Sequence, residues 1–288
     1  MPELPEVETV KRGLNNLTIG KIIKSINSDN HKSFPNSEAD VKSFALNSSI
    51  INVRRRAKVL MIDLSSGYSF LIHLKMTGQL VYIGKSRFGA GHPNDSLIKA
   101  LPDKSTRVEI TFTDDTKLFF NDQRKFGWVR LLPALEIPNT PFMQKVGPEP
   151  LENDFTLDIF KERVKRRQNS SIKAVLLDQS VLAGIGNIYA DESLWGAKIH
   201  PARKVSTLKD TELELLYDDI RFVMNKAIAE GGSSNSTYVN AEGGRGSYMN
   251  FARVFRREGQ DCLRCGAIIE KTRVAGRGTH FCPVCQVI

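Results

Sequence analysis

The chain has 288 residues, a formal net charge of +9 and 41% hydrophobic residues. That length holds two domains with room for a small third, and the apolar share is enough for real cores. No apolar run reaches about 18 residues, so no membrane-spanning helix is expected. The acidic N-terminus lacks an apolar stretch, which argues against a secretory signal, and the positive balance points to a polyanionic partner.

The chain begins Met1-Pro2-Glu3-Leu4-Pro5-Glu6-Val7-Glu8-Thr9. If Met1 is removed, Pro2 becomes a terminal secondary amine with an acid, Glu3, beside it. An amine of that kind attacks a carbonyl or acetal carbon as a Schiff-base catalyst. An α-amino group titrates near about 8 and a lysine near about 10.4, so far more of the former is free base at neutral pH. Val7, Val10, Leu14 and Leu17 recur at three- and four-residue steps and predict an amphipathic helix just after Pro2. The bland reading of the same residues is an ordinary helix lead-in.

From Arg54 to about Pro133 the pattern is of strands. Val59–Leu64 and Tyr68–Leu74 flank a Ser65-Ser66-Gly67 turn and predict a hairpin. Val108, Ile110 and Phe112 alternate with polar residues, and Asp114-Asp115-Thr116 turns the chain into Lys117–Phe120. The polar stretch Gly84–Asp103 is expected to be a surface loop or insertion. Pro133–Pro150 holds five prolines and reads as a linker.

Beyond it the period becomes helical. Helices are expected over Phe155–Arg167, Ile172–Leu177, Asn187–Trp195 and, from Leu213, Leu216, Ile220, Val223 and Ala227, a long one that stops at Gly231-Gly232. Gly184 and Gly186 break the chain between two short helices, a turn that can aim backbone N–H groups at a phosphate or simply join a helical hairpin. Ser233–Tyr248 reads as a long polar loop.

All four cysteines lie near the C-terminus, as Cys262-x2-Cys265, sixteen residues, then Cys282-x2-Cys285. That spacing is of a four-thiolate zinc ribbon, with one structural Zn2+ in a closed tetrahedral site; redox dithiols are the alternative. From Phe251 onward the module carries a net +4, as a phosphate-gripping finger needs. Cysteines confined to one module fit a reducing compartment.

Taken in order, the opening Met1–Thr9, Arg55-Arg56-Ala57-Lys58, His73-Leu74-Lys75-Met76-Thr77-Gly78, Gly184-Ile185-Gly186-Asn187-Ile188-Tyr189-Ala190-Asp191-Glu192 and the terminal cysteine module resemble bacterial formamidopyrimidine-DNA glycosylases along essentially the whole chain. The resemblance implies an α+β fold: an N-terminal antiparallel β-sandwich, a helical helix–two-turns–helix domain and a C-terminal zinc-ribbon β-hairpin, with DNA in the cleft between domains. The expected division is 1–133 catalytic, 134–154 linker, 155–240 DNA-binding with the lesion loop, and 241–288 zinc finger. The implied activity is a bifunctional glycosylase/AP lyase of base excision repair. It would act as a monomer on double-stranded DNA bearing oxidised purines, in the bacterial cytoplasm or an organelle of bacterial origin, without a membrane.

By the same resemblance Pro2 is the nucleophile on the sugar C1′, Glu3 assists the opening sugar, Lys58 is the catalytic lysine and Glu6 a supporting acid. Met76, Arg124 and Phe126 would fill the gap left by a flipped-out base; hydrophobicity alone would put Met76 and Phe126 in a core. His73, Lys173, Asn187 and Arg277 would grip phosphates. Two features depart from the family: the length of Gly84–Asp103, and Arg256, where glycine is commoner. Competing readings are an endonuclease VIII-type glycosylase for oxidised pyrimidines, against which Leu4 argues, and a non-catalytic zinc-containing DNA-binding protein.

Overall fold

The computed structural model describes residues 1–92, 94–233 and 247–288. It divides into two compact units, Met1–Gln144 with Glu230–Met249, and Lys145–Ala229 with Asn250–Ile288. The loop expected over Ser233–Tyr248 lies, apart from its ends, outside the described residues.

The first unit opens with helix α1 (Leu4–Thr18), which buries Leu4, Val7, Val10 and Leu14 along one stripe. Then come β1 (Ile23–Ser28) and a short helical turn α2 (Glu38–Asp40). The strands that follow are β2 (Ile50–Arg56), β3 (Val59–Leu64), β4 (Tyr68–His73), β5 (Gly78–Ile83), β6 (Arg87–Gly91), β7 (Thr106–Phe112), β8 (Lys117–Asp122) and β9 (Trp128–Pro133). They form a five-stranded sheet in the order β1-β7-β8-β5-β6 and a four-stranded sheet in the order β2-β3-β4-β9. All pairings are antiparallel.

The period-two alternation sends Leu60, Ile62, Phe70 and Ile72 from one sheet and Leu80, Phe112, Leu118 and Phe120 from the other into one shared core with the stripe of α1. The expected hairpin is β3–β4, closed at Gly67 with φ 80°. Strand β3 is buried on both faces. Its outer side, Val59 and Met61, is covered by Ile137, Phe142 and Met143. Those residues come from the proline-rich stretch, which holds a 3-10 turn and a short helix α3 (Pro141–Gln144).

The expectation for Gly84–Asp103 needs correction. It contains β6, hydrogen-bonded along β5, and a 3-10 turn at Asp95–Leu97. Phe88 and Ala90 enter the main core, and Leu97 packs under Val81 and Phe119. The stretch reads as polar because an edge strand needs apolar residues on one face only, and here Phe88 supplies most of that face. The guanidinium of Arg87 donates to the carbonyls of Ser96, Leu97 and Lys99, so a charged side chain organises the turn from inside.

The second unit contains α4 (Leu157–Lys165), α5 (Ile172–Leu177), α6 (Asn187–Gly196), α7 (Asp210–Ala229) and the hairpin β10 (Glu270–Val274) with β11 (Arg277–Phe281). Ser171 caps α5 by accepting from the N–H of Ala174. Gln179 staples the two turns before α6: its amide donates to Leu177 O and Ile185 O, and its oxygen accepts from Gly184 N–H. Among the described residues no helix is long and apolar enough to cross a membrane.

One contact in the first unit has a definite consequence. A Cβ on Gly13 of α1 would stand 2.2 Å from the buried Phe88 ring. Glycine-to-alanine inside a helix ordinarily stabilises by about 1 kcal/mol. Gly13→Ala is expected instead to destabilise by about 1–3 kcal/mol through overpacking, measured as the shift in the denaturant midpoint.

Candidate active site and nucleic-acid contacts

Pro2 is buried directly ahead of α1. Glu3 is the N-cap, and it forms a capping box with Glu6: the Glu3 side chain accepts the Glu6 backbone N–H, and Glu6 Oε2 accepts the Glu3 N–H at 2.8 Å. The other oxygen of Glu6 accepts the N–H of Ser233 at 2.8 Å. Both carboxylates are buried. Glu6 thus ties the residue that follows Pro2 to Ser233, far along the chain, which restricts the path of the chain at Pro2.

Lys58 sits with Ala57 at the two-residue tip of the β2–β3 hairpin, where Ala57 has φ 53°. A hairpin tip is ordinarily wet, yet Lys58 is only 5% exposed. Its neighbour Arg55 reaches Glu8 of α1 at 3.0 Å in a pair that is nearly buried on both sides, which pins this hairpin against the helix whose start carries Pro2. The helix start and the hairpin tip therefore belong to one local assembly.

His73 ends β4 and is buried. Its Nδ1 accepts the Lys75 N–H at 3.0 Å, which leaves the proton on Nε2. Trp128 and Phe142 meet the imidazole edge-on at 5.8 and 5.6 Å. Burial, and then the charges of Lys75 and Lys58, push its pKa down to about 3. Any phosphate contact it makes is therefore through a neutral N–H donor and not through a cation.

Met76 lies half-buried in the β4–β5 turn. Arg124 and Phe126 stand out on the β8–β9 turn, with Phe126 53% exposed and the Arg124 guanidinium 4.8 Å from its ring centroid. The exposure of Phe126 departs from what hydrophobicity alone implies.

In the second unit Lys173 is 0% exposed. Its ammonium donates to Asp191 Oδ1 at 2.6 Å, Thr279 Oγ1 at 2.7 Å and Gly278 O at 3.2 Å. The ammonium expected to grip a phosphate is buried here, where it joins α5 to α6 and β11. Asn187, the first residue of α6, donates to Gly278 O at 2.9 Å. Arg277 is exposed at the hairpin tip, immediately before Gly278. Asn187 and Arg277 are thereby brought to adjacent points of one surface. Arg256 has φ 59° at the third position of a turn closed by Arg257 N–H to Val254 O. A type II turn favours glycine there, which gives that family preference a physical reason.

Sequence reasoning gave no role to Asp191, Glu192 or Gln179, all buried or turn-forming groups. Asp191 also accepts the His280 N–H at 2.9 Å, and Glu192 accepts the N–H groups of Arg253, Val254 and Phe255 at 2.8, 2.9 and 2.8 Å. Two consecutive acids in a helix start that otherwise reads as apolar are the signal that could have exposed them.

The sulfurs of Cys262, Cys265, Cys282 and Cys285 all lie within 4.8 Å of one another. A tetrahedral ion with Zn–S bonds of about 2.3 Å needs sulfurs about 3.8 Å apart, so the set fits zinc. Burial would raise the Cys262 thiol, but N–H groups of Arg264 and Cys265 and the Trp195 indole bring it down to about 6. The indole N–H lies 3.4 Å from that sulfur. Burial, and then bonding to the sulfurs of Cys265 and Cys282, pushes Cys285 up to about 12. Thiolates so crowded need a cation between them.

Comparison with known proteins agrees along the whole chain. Residues 1–129 match the formamidopyrimidine-DNA glycosylase N-terminal domain, 146–239 the formamidopyrimidine-DNA glycosylase H2TH domain, and 259–287 the zinc finger found in FPG and IleRS. The formamidopyrimidine-DNA glycosylase of Bacillus cereus is 39% identical over 288 residues, 99% of each chain. A Lactococcus lactis Fpg in complex with abasic-site DNA has a TM-score of 0.88 at 36% identity, covering 99% of this chain and 100% of that one. A variant of the same lactococcal protein with Fapy-dG DNA has a TM-score of 0.88 at 36% identity, covering 100% of both. Fold and matches together define a zinc-finger DNA glycosylase. The chain belongs to the formamidopyrimidine-DNA glycosylase family. Its activity is that of a base-excision DNA glycosylase/AP lyase, its partner is DNA, and its metal is one structural zinc held by the four cysteines.

Two measurements follow. The unfolded His73 titrates near about 6.5 and the folded one near 3. Below pH 6.5 the unfolded chain takes up a proton that the folded chain refuses, so stability falls by about 2 kcal/mol between pH 6.5 and 5 and by nothing above that window. His73→Gln is expected to flatten this dependence, read from denaturant midpoints at pH 7 and 5. Chelation under reducing conditions is expected to release one zinc per chain and expose the β10–β11 amides, read by metal analysis and hydrogen exchange.

Proposed function

We propose that the chain excises oxidised purines, 8-oxoguanine and ring-opened formamidopyrimidines, from double-stranded DNA, and that Pro2 is the nucleophile. The observation that carries the reading is the buried Pro2 held one residue ahead of the Glu3–Glu6 capping box. After Met1 is removed, the Pro2 nitrogen attacks C1′, the base leaves with the glycosidic electron pair, and the sugar ring opens. Glu3 delivers the proton that the ring oxygen takes up. The resulting iminium acidifies C2′–H; loss of that proton expels the 3′ phosphate, a second elimination expels the 5′ phosphate, and water frees the amine. Lys58, at the buried hairpin tip, supplies positive charge beside the reacting sugar, and Glu6 holds the helix start.

Met76, Arg124 and Phe126 fill the gap left by the flipped nucleotide, which offsets a few kcal/mol of lost stacking. His73, Asn187 and Arg277 contact phosphates; Lys173 supports that surface from beneath. Zinc cross-links the finger and takes no part in the chemistry. Functionally the chain divides into 1–133 catalytic, 134–154 linker, 155–240 DNA-binding and 241–288 zinc finger. It works as a monomer in a reducing cytoplasm, where four metal-binding thiols persist.

The test is borohydride trapping on a duplex with one 8-oxoguanine opposite cytosine, beside a Pro2→Gly variant and a duplex with an oxidised pyrimidine. A covalent adduct mapped to Pro2, strongest with the purine lesion and weakened in the variant, is expected. Preference for the pyrimidine lesion would overturn the substrate assignment. No adduct from zinc-loaded protein lacking Met1 would overturn the mechanism.

A further inference from the structure

The three side chains assigned above to the gap come from two separate turns, and one buried carboxylate holds both. Asp122 ends β8 opposite Gly78, the first residue of β5. It is 0% exposed. Its Oδ1 accepts the hydroxyl of Thr77, next to Met76, and also the N–H of Arg124 at 3.2 Å. The Thr77 hydroxyl itself accepts that same Arg124 N–H at 3.1 Å. The other oxygen, Oδ2, accepts the Gly127 N–H at 2.6 Å.

The carboxylate therefore clamps the Arg124–Phe126 turn at both ends and fastens it to the Met76 turn. Gly127 has no room for a side chain: a Cβ there would meet Phe120 at 2.8 Å, His73 O at 3.0 Å and Asp122 Oδ2 at 3.1 Å. Each turn also carries a residue in the left-handed region, Lys75 at φ 50° and Lys125 at φ 57°. Strain of that kind persists only where the surroundings over-determine it. The backbone of Asp122 is itself fixed, its N–H donating to Ser105 O at 2.7 Å and its carbonyl accepting from Arg107 Nε at 3.0 Å. A carboxylate sealed from solvent with both oxygens engaged is not placed to exchange protons with a substrate. It is placed to fix a distance.

We propose that Asp122, through Thr77, is the positioning residue that sets Met76 against the Arg124–Phe126 pair, and so controls extrusion of the lesion rather than the chemistry on the sugar. This rests on the glycosylase reading given above. It separates two rates. Excision of a paired lesion requires the gap to be filled, whereas cleavage at an abasic site in single-stranded DNA requires no extrusion.

The experiment compares wild type, Asp122→Asn, Thr77→Val and Thr77→Ser, all zinc-loaded and checked by thermal melting. Single-turnover excision is measured on an 8-oxoguanine:cytosine duplex, and strand cleavage on a single-stranded oligonucleotide with a preformed abasic site. A 2-aminopurine beside the lesion reports extrusion. Asp122→Asn and Thr77→Val are expected to slow duplex excision and the fluorescence rise at least tenfold, with abasic cleavage within twofold. Thr77→Ser, which restores the hydroxyl, is expected to match wild type. Should Asp122→Asn fail to fold, Thr77→Val, which leaves the Gly127 bond intact, decides. Equal loss of both activities, or loss of neither, overturns the proposal. A wild type inactive on both substrates overturns the glycosylase reading instead.

Discussion

A terminal amine is a useful nucleophile only if the residue bearing it cannot wander, and in this chain the carboxylate of Glu6 imposes that restriction. One oxygen holds the N–H of Glu3 and the other the N–H of Ser233, 227 positions away in sequence. A helix start leaves several N–H groups without intrahelical partners. The capping box satisfies two of them and so fixes the direction in which the chain leaves the helix toward Pro2. The apolar stripe of α1 then seats the whole assembly on the sandwich core. Chain ends are ordinarily the most mobile part of a domain, yet here Met1 is exposed while the residues just after it, Pro2 to Glu8, are buried.

The second unit depends on a comparable device. Asp191 and Glu192 are consecutive in α6 and both fully buried. Asp191 takes the Lys173 ammonium and the His280 N–H, while Glu192 takes three successive N–H groups at Arg253–Phe255. Burying a charge is costly unless it is paired and hydrogen-bonded, and here the bonds run to segments that local folding would not bring together. The result is a cysteine module held against α6 by these bonds as well as by the packing of its cysteines on Trp195, so Asn187 and Arg277 share one surface.

Left-handed backbone recurs at the turns that carry the candidate site residues: Ala57 before Lys58, Lys75 before Met76, Lys125 between Arg124 and Phe126, and Ala275 near Arg277. In that conformation the chain reverses within a residue or two. A side chain next to the reversal projects from a rigid sheet edge instead of lying along it, and tight turns of this kind let a sandwich present single residues to a ligand.

Features governed by short sequence separations were legible from the sequence. The paired Cys-x2-Cys knuckles, the stripe of α1, the β3–β4 turn at Ser65-Ser66-Gly67 and the long helix α7 each depend on residues within a few positions of one another. The residues themselves suggested Pro2 as an amine nucleophile with Glu3 beside it, and the motif resemblance gave these their roles on the sugar and added Lys58 and Glu6. What the sequence did not disclose depends on partners far along the chain. Phe88 ties an edge strand within a polar stretch into the core because α1 leaves room for its ring at Gly13. Lys173 is buried because Asp191 and Thr279, 18 and 106 positions away, satisfy it. His73 is neutral because Trp128 and Phe142 enclose it and Lys75 and Lys58 stand near. Asp122 joins two turns through a residue 45 positions away. Composition and periodicity determine which residues seek burial or solvent; whether a given charge is exposed, paired or silenced is decided by tertiary packing, because the desolvation that governs it comes from neighbours the local sequence does not contain.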